Sequence, residues 1–258
     1  MIVHIDSLEI RVLEPEAVGT ERSPALLFIH GAGGDGGIWD HQAAYFRGTH
    51  LAYRIDLPGH GGSTPLGEET IPAYARWVRK TIERALPDTP LILVGHSMGG
   101  AIVQELAGKP PPCLKGVVLV GTGAKLKVMP EIFEMLTKRP ETFFATIDLA
   151  AFHPDTPEDV KAPVIRNMLK CPAVIIYSDF KACDRFDNRE DLQDIRVPVL
   201  ILCGARDKLT PVRYSEYLHA KLPSSQIEII PGAGHMVMVE KPGAVNRSLD
   251  RFLCKLRD

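Results

Sequence analysis

Six short runs, each built around apolar residues, recur along the chain: ALLFIHG (25–31), HLAYRID (50–56), LILVG (91–95), KGVVLVG (115–121), VPVLILCG (197–204) and QIEIIPG (226–232). They are rich in valine, isoleucine and leucine with little alternation, as strands covered on both faces are. Helix-sized segments lie between them. Residues 71–86 put Tyr74, Trp77, Val78, Ile82 and Leu86 on one stripe, and 98–108, 211–222 and 240–256 behave alike. Strand–helix alternation at this spacing predicts a mostly parallel sheet with helices on both sides. The first 14 residues differ: IVHI and LEIRVL, joined by a tight Asp-Ser turn, predict an antiparallel start.

One stretch breaks the rhythm. From about Gly123 to Leu192, β-branched runs are few, and prolines at 130, 140, 154, 157, 163 and 172 divide the chain into roughly four short helices. Such an insertion either packs passively on the sheet or forms a lid. Its place between two core strands, at the end where the strand-to-helix loops emerge, favours the lid. The expected division is a core of residues 1–123 and 193–258 and a helical cap of 124–192.

Composition narrows the function classes. The formal net charge is −2 and lysine and arginine are scattered, so no basic stripe invites nucleic acid. The N-terminal segment alternates apolar and polar residues, unlike a secretory signal, and no window approaches the ~18 consecutive apolar residues of a membrane span. Five cysteines at irregular spacing, with no Cys-x-x-Cys pair, argue against a metal knuckle or redox site. The expectation is a cytoplasmic protein with reduced thiols, acting on a small molecule without cofactor or metal, as a monomer or small homo-oligomer.

The chemistry centres on Gly95-His96-Ser97-Met98-Gly99. A strand-like LILV precedes this motif and a helix-like MGGAIVQELAG follows. A serine on a sharp strand-to-helix turn needs side-chain-free neighbours two residues away. The following helix N-terminus then points where negative charge would develop. A serine hydroxyl is a weak nucleophile without a base. His235, on a glycine turn past the run IEII, is the candidate. His30 and His60 lie in glycine-rich loops of their own, and His96 flanks Ser97, where adjacent side chains are expected to point away. The base needs an orienting carboxylate, for which Asp207 in ARDKLTP is the candidate, ahead of Asp184 and Asp187. Oxyanion donors are expected from the backbone of Ala32 and Met98, with Gly33 as a substitute for Ala32.

These residues together resemble the α/β-hydrolase superfamily over nearly the whole chain. HGAGG (30–34), DLPGHGGS (56–63), GHSMGG (95–100), GARDKLTP (204–211) and GAGHMVMVEKP (232–242) come in that family's order. The resemblance, nearest to small bacterial carboxylesterases with a helical cap, implies an eight-stranded sheet and a cap inserted after strand 6. It also implies ester hydrolysis through an acyl-enzyme on Ser97, with His30 and the DLPGHGGS loop in structural roles. The same frame serves C–C bond hydrolases, lactonases and perhydrolases, and a non-catalytic binding protein is an alternative of another class. Phe133, Leu136, Phe143, Phe144 and Phe152, with Trp39, Met98, Met236 and Met238, suggest an apolar chamber suited to short-to-medium acyl or aryl esters over charged substrates. The alternative for these aromatics at helical spacing is the cap's own core, expected for about half of them. Acidic and basic residues interleave through 124–192, so nothing there calls for the phosphates of coenzyme A.

Overall fold

The computed structural model describes residues 1–15 and 24–256; residues 16–23, 257 and 258, assigned above to the core, lie outside the described residues. The chain opens with β1 (Ile2–Ile5), β2 (Leu8–Leu13), β3 (Ala25–Ile29), α1 (Asp40–Phe46), β4 (Ala52–Ile55) and α2 (Ile71–Ala85). It continues through β5 (Leu91–His96), α3 (Met98–Gly108) and β6 (Leu114–Val120). Four helices follow: α4 (Pro130–Lys138), α5 (Pro140–Ala151), α6 (Glu158–Met168) and α7 (Ala173–Arg185). The return is β7 (Val199–Gly204), α8 (Val212–Lys221), β8 (Ser225–Ile230), α9 (Val237–Glu240) and α10 (Pro242–Lys255).

The strands form one eight-stranded sheet in the order β1-β2-β4-β3-β5-β6-β7-β8. The two pairings of β2 are antiparallel and all others parallel. The central strands β3, β5, β6 and β7 are apolar on both faces because both faces are covered. Leu27 and Ile29 of β3 point into one core with α2, α3 and α8, whereas Leu26 and Phe28 point into a second core with α1 and α10. The second core runs on into the cap through Ile132, Leu136, Phe143 and Ile147.

Helices α4–α7 form a cap after β6, as the resemblance implies. Where the chain leaves for the cap and returns, Lys125 and Asp187 make an isolated antiparallel bridge, and Asn188 N–H donates to Ala124 O at 2.7 Å. The cap helices start at prolines or directly after them, consistent with the proline at the first turn lacking only a donor that would go unused. Helix α6 is the exception in packing: none of its residues is fully buried, and Pro163 lies inside it. Among the described residues, no helix is long and apolar enough to cross a membrane.

Candidate active site

Strand β5 ends at His96 and α3 begins at Met98, so Ser97 alone connects them. Its backbone sits at φ +54°, ψ −115°, where a residue with a side chain is strained. Several bonds hold it there. Ser97 N–H donates to Val120 O at 2.9 Å, and Thr122 Oγ1 donates to Ser97 O at 2.9 Å. The flanking glycines are required by space. A Cβ on Gly95 would lie 2.2 Å from Gly99 O, and one on Gly99 would lie 2.5 Å from Ile29 O.

Asp207 follows β7 and is buried. One carboxylate oxygen accepts the N–H groups of Leu209 and Thr210 at 2.9 and 2.8 Å; the other accepts Thr210 Oγ1 at 2.8 Å and lies 2.9 Å from His235 Nδ1. Burial opposes the charged carboxylate, but the charge of His235 and the hydrogen bonds from His235 and Thr210 outweigh it, and the Asp207 pKa falls below its ordinary value. With Nδ1–H directed at Asp207, His235 keeps Nε2 as its free acceptor. Ser97 and His235 line one cavity without a direct hydrogen bond between them, the looser geometry frequent in unliganded sites.

His96 does not point away as expected from its place beside Ser97. Its ring lies 4.6 Å from that of His235, and its Nε2–H donates to His235 O at 3.1 Å. Burial first, then the charge of His235, hold its pKa well below the ordinary value, so it is a neutral support for the His235 backbone.

The glycine loop at 31–34 packs directly on the elbow, since a Cβ on Gly31 would lie 3.1 Å from Ser97 Cβ. Gly33 N–H donates to Asp179 Oδ2 at 2.8 Å. The Ala32 and Met98 N–H groups donate to no other group among the described residues. Behind this loop, Leu57 N–H donates to His30 Nε2 at 3.0 Å, and His30 Nδ1–H donates to Gly31 O at 2.8 Å. Asp56 accepts Gly36 N–H at 2.9 Å and Gly62 N–H at 2.8 Å and pairs with Arg11. Burial, reinforced by nearby His60, lowers the His30 pKa to about 4. Between pH 6.5 and about 4 the unfolded chain therefore binds a proton that folded His30 refuses, and stability falls as pH drops through that window. The expected cost is about 3 kcal/mol. His30→Gln, which keeps an acceptor for Leu57, should flatten this acid slope in thermal melts run from pH 7 to 4.

The cavity at Ser97 measures about 370 Å³. Of the expected lining, Phe152 and Met236 contribute to it, but Trp39, Phe133, Leu136, Phe143 and Phe144 do not, and neither do Met98 and Met238. The aromatics pack elsewhere: Trp39 on Phe28, Phe133 on Tyr177, and Phe143 on Phe144 and Phe180. Leu136 is buried in the second core with Trp39 and Phe143. The walls instead carry aliphatic side chains, including Ile132, Ile147, Val164, Ile165 and Met168. Nor is the lining wholly apolar. Lys127, Lys208 and Arg213 belong to it, and among the described residues no aspartate or glutamate does.

Thr122, Thr210 and Asp179 were not singled out from the sequence. Thr210, in the turn just after Asp207, was within reach as a turn-capping residue, whereas Asp179 carries no local signal. Among the described residues, no group of three or more histidine, cysteine or carboxylate side chains is placed to hold a metal ion.

Residues 26–248 match the profile of the Alpha/beta hydrolase family. A 3-oxoadipate enol-lactonase of Acinetobacter baylyi is 29% identical over 246 residues, which cover 91% of this chain and 90% of that protein. A pimeloyl-[acyl-carrier protein] methyl ester esterase of Neisseria meningitidis is 27% identical over 224 residues, 81% of this chain and 70% of that protein. Among solved structures, a thermophilic esterase superposes with a TM-score of 0.87 at 34% identity, covering 99% of this chain and 97% of that one.

Proposed function

The chain belongs to the alpha/beta hydrolase family, and from that premise we propose that it cleaves carboxylic esters of short-to-medium acyl or aryl groups through an acyl-enzyme on Ser97. One observation carries the reading: a serine strained at φ +54° shares a cavity with a histidine whose Nδ1 lies 2.9 Å from a buried aspartate. His235 Nε2 takes the Ser97 proton as Oγ attacks the ester carbonyl. Asp207 fixes the imidazole tautomer and stabilises the imidazolium. The free N–H groups of Ala32 and Met98 receive the oxyanion, each worth about 3 kcal/mol at the transition state. Gly33, whose amide is engaged by Asp179, is not needed there. His235 then gives its proton to the leaving alcohol, and water releases the acid by the reverse steps.

The esterase and lactonase relatives support an ester-bond substrate, and the family frame leaves C–C bond hydrolysis, lactonase and perhydrolase chemistry as alternatives. The division into a core of 1–123 and 193–258 and a cap of 124–192 is supported by the Lys125–Asp187 bridge at the base of the insertion. The test is labelling with a fluorophosphonate, combined with turnover of p-nitrophenyl esters, lactones and vinylogous diketones. Ester turnover with label on Ser97 is the expected result. Absence of label would favour a non-catalytic binding protein.

A second reading concerns charge. Lys127, Lys208 and Arg213 in the lining, unopposed by any lining carboxylate, favour esters or lactones that themselves bear a carboxylate. Lys127 is already paired with Asp184, but Arg213 stacks on Tyr214 and faces no carboxylate partner among the described residues. Arg213→Ser should raise KM about three- to fivefold for the monoester of a dicarboxylic acid, as loss of an exposed ion pair does. A neutral ester of equal length should be unaffected, and added salt should erase the difference.

A further inference from the structure

The proposed chemistry leaves one buried ionic cluster without a task. Asp179, in the middle of cap helix α7, is fully buried and so is His60 of the core. The Asp179 carboxylate accepts Gly33 N–H at 2.8 Å, His60 Nε2–H at 2.8 Å and Tyr74 Oη–H at 2.6 Å. The other ring nitrogen, His60 Nδ1, lies 3.0 Å from Pro58 O, which can only accept. Both nitrogens therefore carry protons, and His60 is an imidazolium. Burial opposes that charge, yet Asp179 outweighs it and raises the His60 pKa well above its ordinary value. His30, whose ring lies 4.8 Å away, stays neutral because its Nε2 accepts from Leu57.

A buried ion pair of this kind adds little stability but fixes geometry, and removal of one partner strands the other. What it fixes here is the loop that carries Ala32. Gly33 sits at φ +66° with its N–H held by the cap, and Gly34 N–H closes the turn onto Gly31 O at 3.2 Å. The cap grips the histidine loop as well. Ala151 O, at the end of α5, accepts His235 N–H at 2.8 Å and Met236 N–H at 3.1 Å. Glu240 joins the same two segments, accepting Gly234 N–H at 2.9 Å and His153 N–H at 2.7 Å.

We propose that Asp179, paired with His60, is a positioning residue for the oxyanion hole, so that docking of the cap and assembly of the oxyanion hole are one event. The proposal rests on the Ser97 reading above. On this view the cap is not a lid that swings clear during turnover, because opening it at α7 would release the very loop that stabilises the transition state.

The test compares Asp179→Asn and Tyr74→Phe with the wild type. Asparagine keeps the shape but cannot accept from Gly33, His60 and Tyr74 together. The expected result is a kcat lowered about 10- to 100-fold, as for a slightly misplaced catalytic group, with KM for p-nitrophenyl butyrate nearly unchanged. Affinity for a trifluoromethyl ketone, whose carbonyl becomes an oxyanion when Ser97 adds to it, should fall in the same proportion. The His60 ring should go from two N–H protons to one by NMR. A folded Asp179→Asn protein with unchanged kcat, or one that is merely less heat-stable with unaltered ketone affinity, overturns the proposal. If Asp179→Asn does not fold, Tyr74→Phe decides: it removes one hydrogen bond and keeps the pair. A parallel few-fold loss of kcat and ketone affinity supports the proposal, and no change in either sinks it. Fluorophosphonate labelling of the wild type keeps the two ideas apart, since failure to label refutes the Ser97 reading whatever the variants do.

Discussion

Ser97→Ala is expected to lower kcat by about 10⁵-fold or more, the scale seen when a triad nucleophile is deleted. Folding should be undisturbed. Alanine keeps the Cβ that packs against Gly31, and the bonds holding the elbow, from Thr122 Oγ1 and to Val120 O, use the backbone of residue 97. The variant should therefore melt within a few degrees of the wild type and still bind substrate, while the burst of released alcohol and the fluorophosphonate label both disappear. Ester turnover surviving in purified Ser97→Ala protein would mean that another group does the chemistry.

Asp207→Asn should be nearly as damaging, about 10³- to 10⁴-fold in kcat. The mechanism differs. The Asp207 carboxylate accepts four hydrogen bonds, three of them within its own turn. An amide can keep its oxygen on the Leu209 and Thr210 N–H groups, but its NH₂ then faces His235 Nδ1 and Thr210 Oγ1. That favours the imidazole tautomer with its proton on Nε2, which cannot accept from Ser97. Geometry is preserved while the base is lost, so the substrate KM should change little. Raising pH should not restore activity, because the wrong tautomer persists when the ring is neutral. Recovery of wild-type kcat at high pH would place the orienting carboxylate elsewhere.

Most of the architecture was legible in the sequence because buried strands announce themselves. Runs such as LILV and VLIL are apolar at every position, and each became a strand with both faces covered. The candidate site was legible for a related reason. Ser97, Asp207 and His235 each lie past the end of a strand-like run, and glycine or proline marks each turn. The chamber was not. Amphipathic spacing in PEIFEMLTK and ETFFATIDLAAF says that one face is buried but not against what: Phe133, Phe143 and Phe144 pack on other aromatics, and of these segments' phenylalanines Phe152 alone lines the chamber. The Asp179–His60 pair was out of reach for a different reason: 119 residues separate the partners, and a lone aspartate in a helix with other polar residues beside it reads as part of the solvated face. His96 was misjudged because alternation along a strand fails at a residue whose successor is forced to positive φ.

Helix α6 separates two properties that enzymes often find hard to vary apart. Its neighbours α5 and α7 hold the histidine loop and the oxyanion loop. Helix α6 buries no residue fully, yet Val164, Ile165 and Met168 form part of the chamber wall. On the proposed reading, sequence drift along α6 would redraw which acyl groups fit while Ser97, His235 and the Ala32 loop stay registered by the helices on either side.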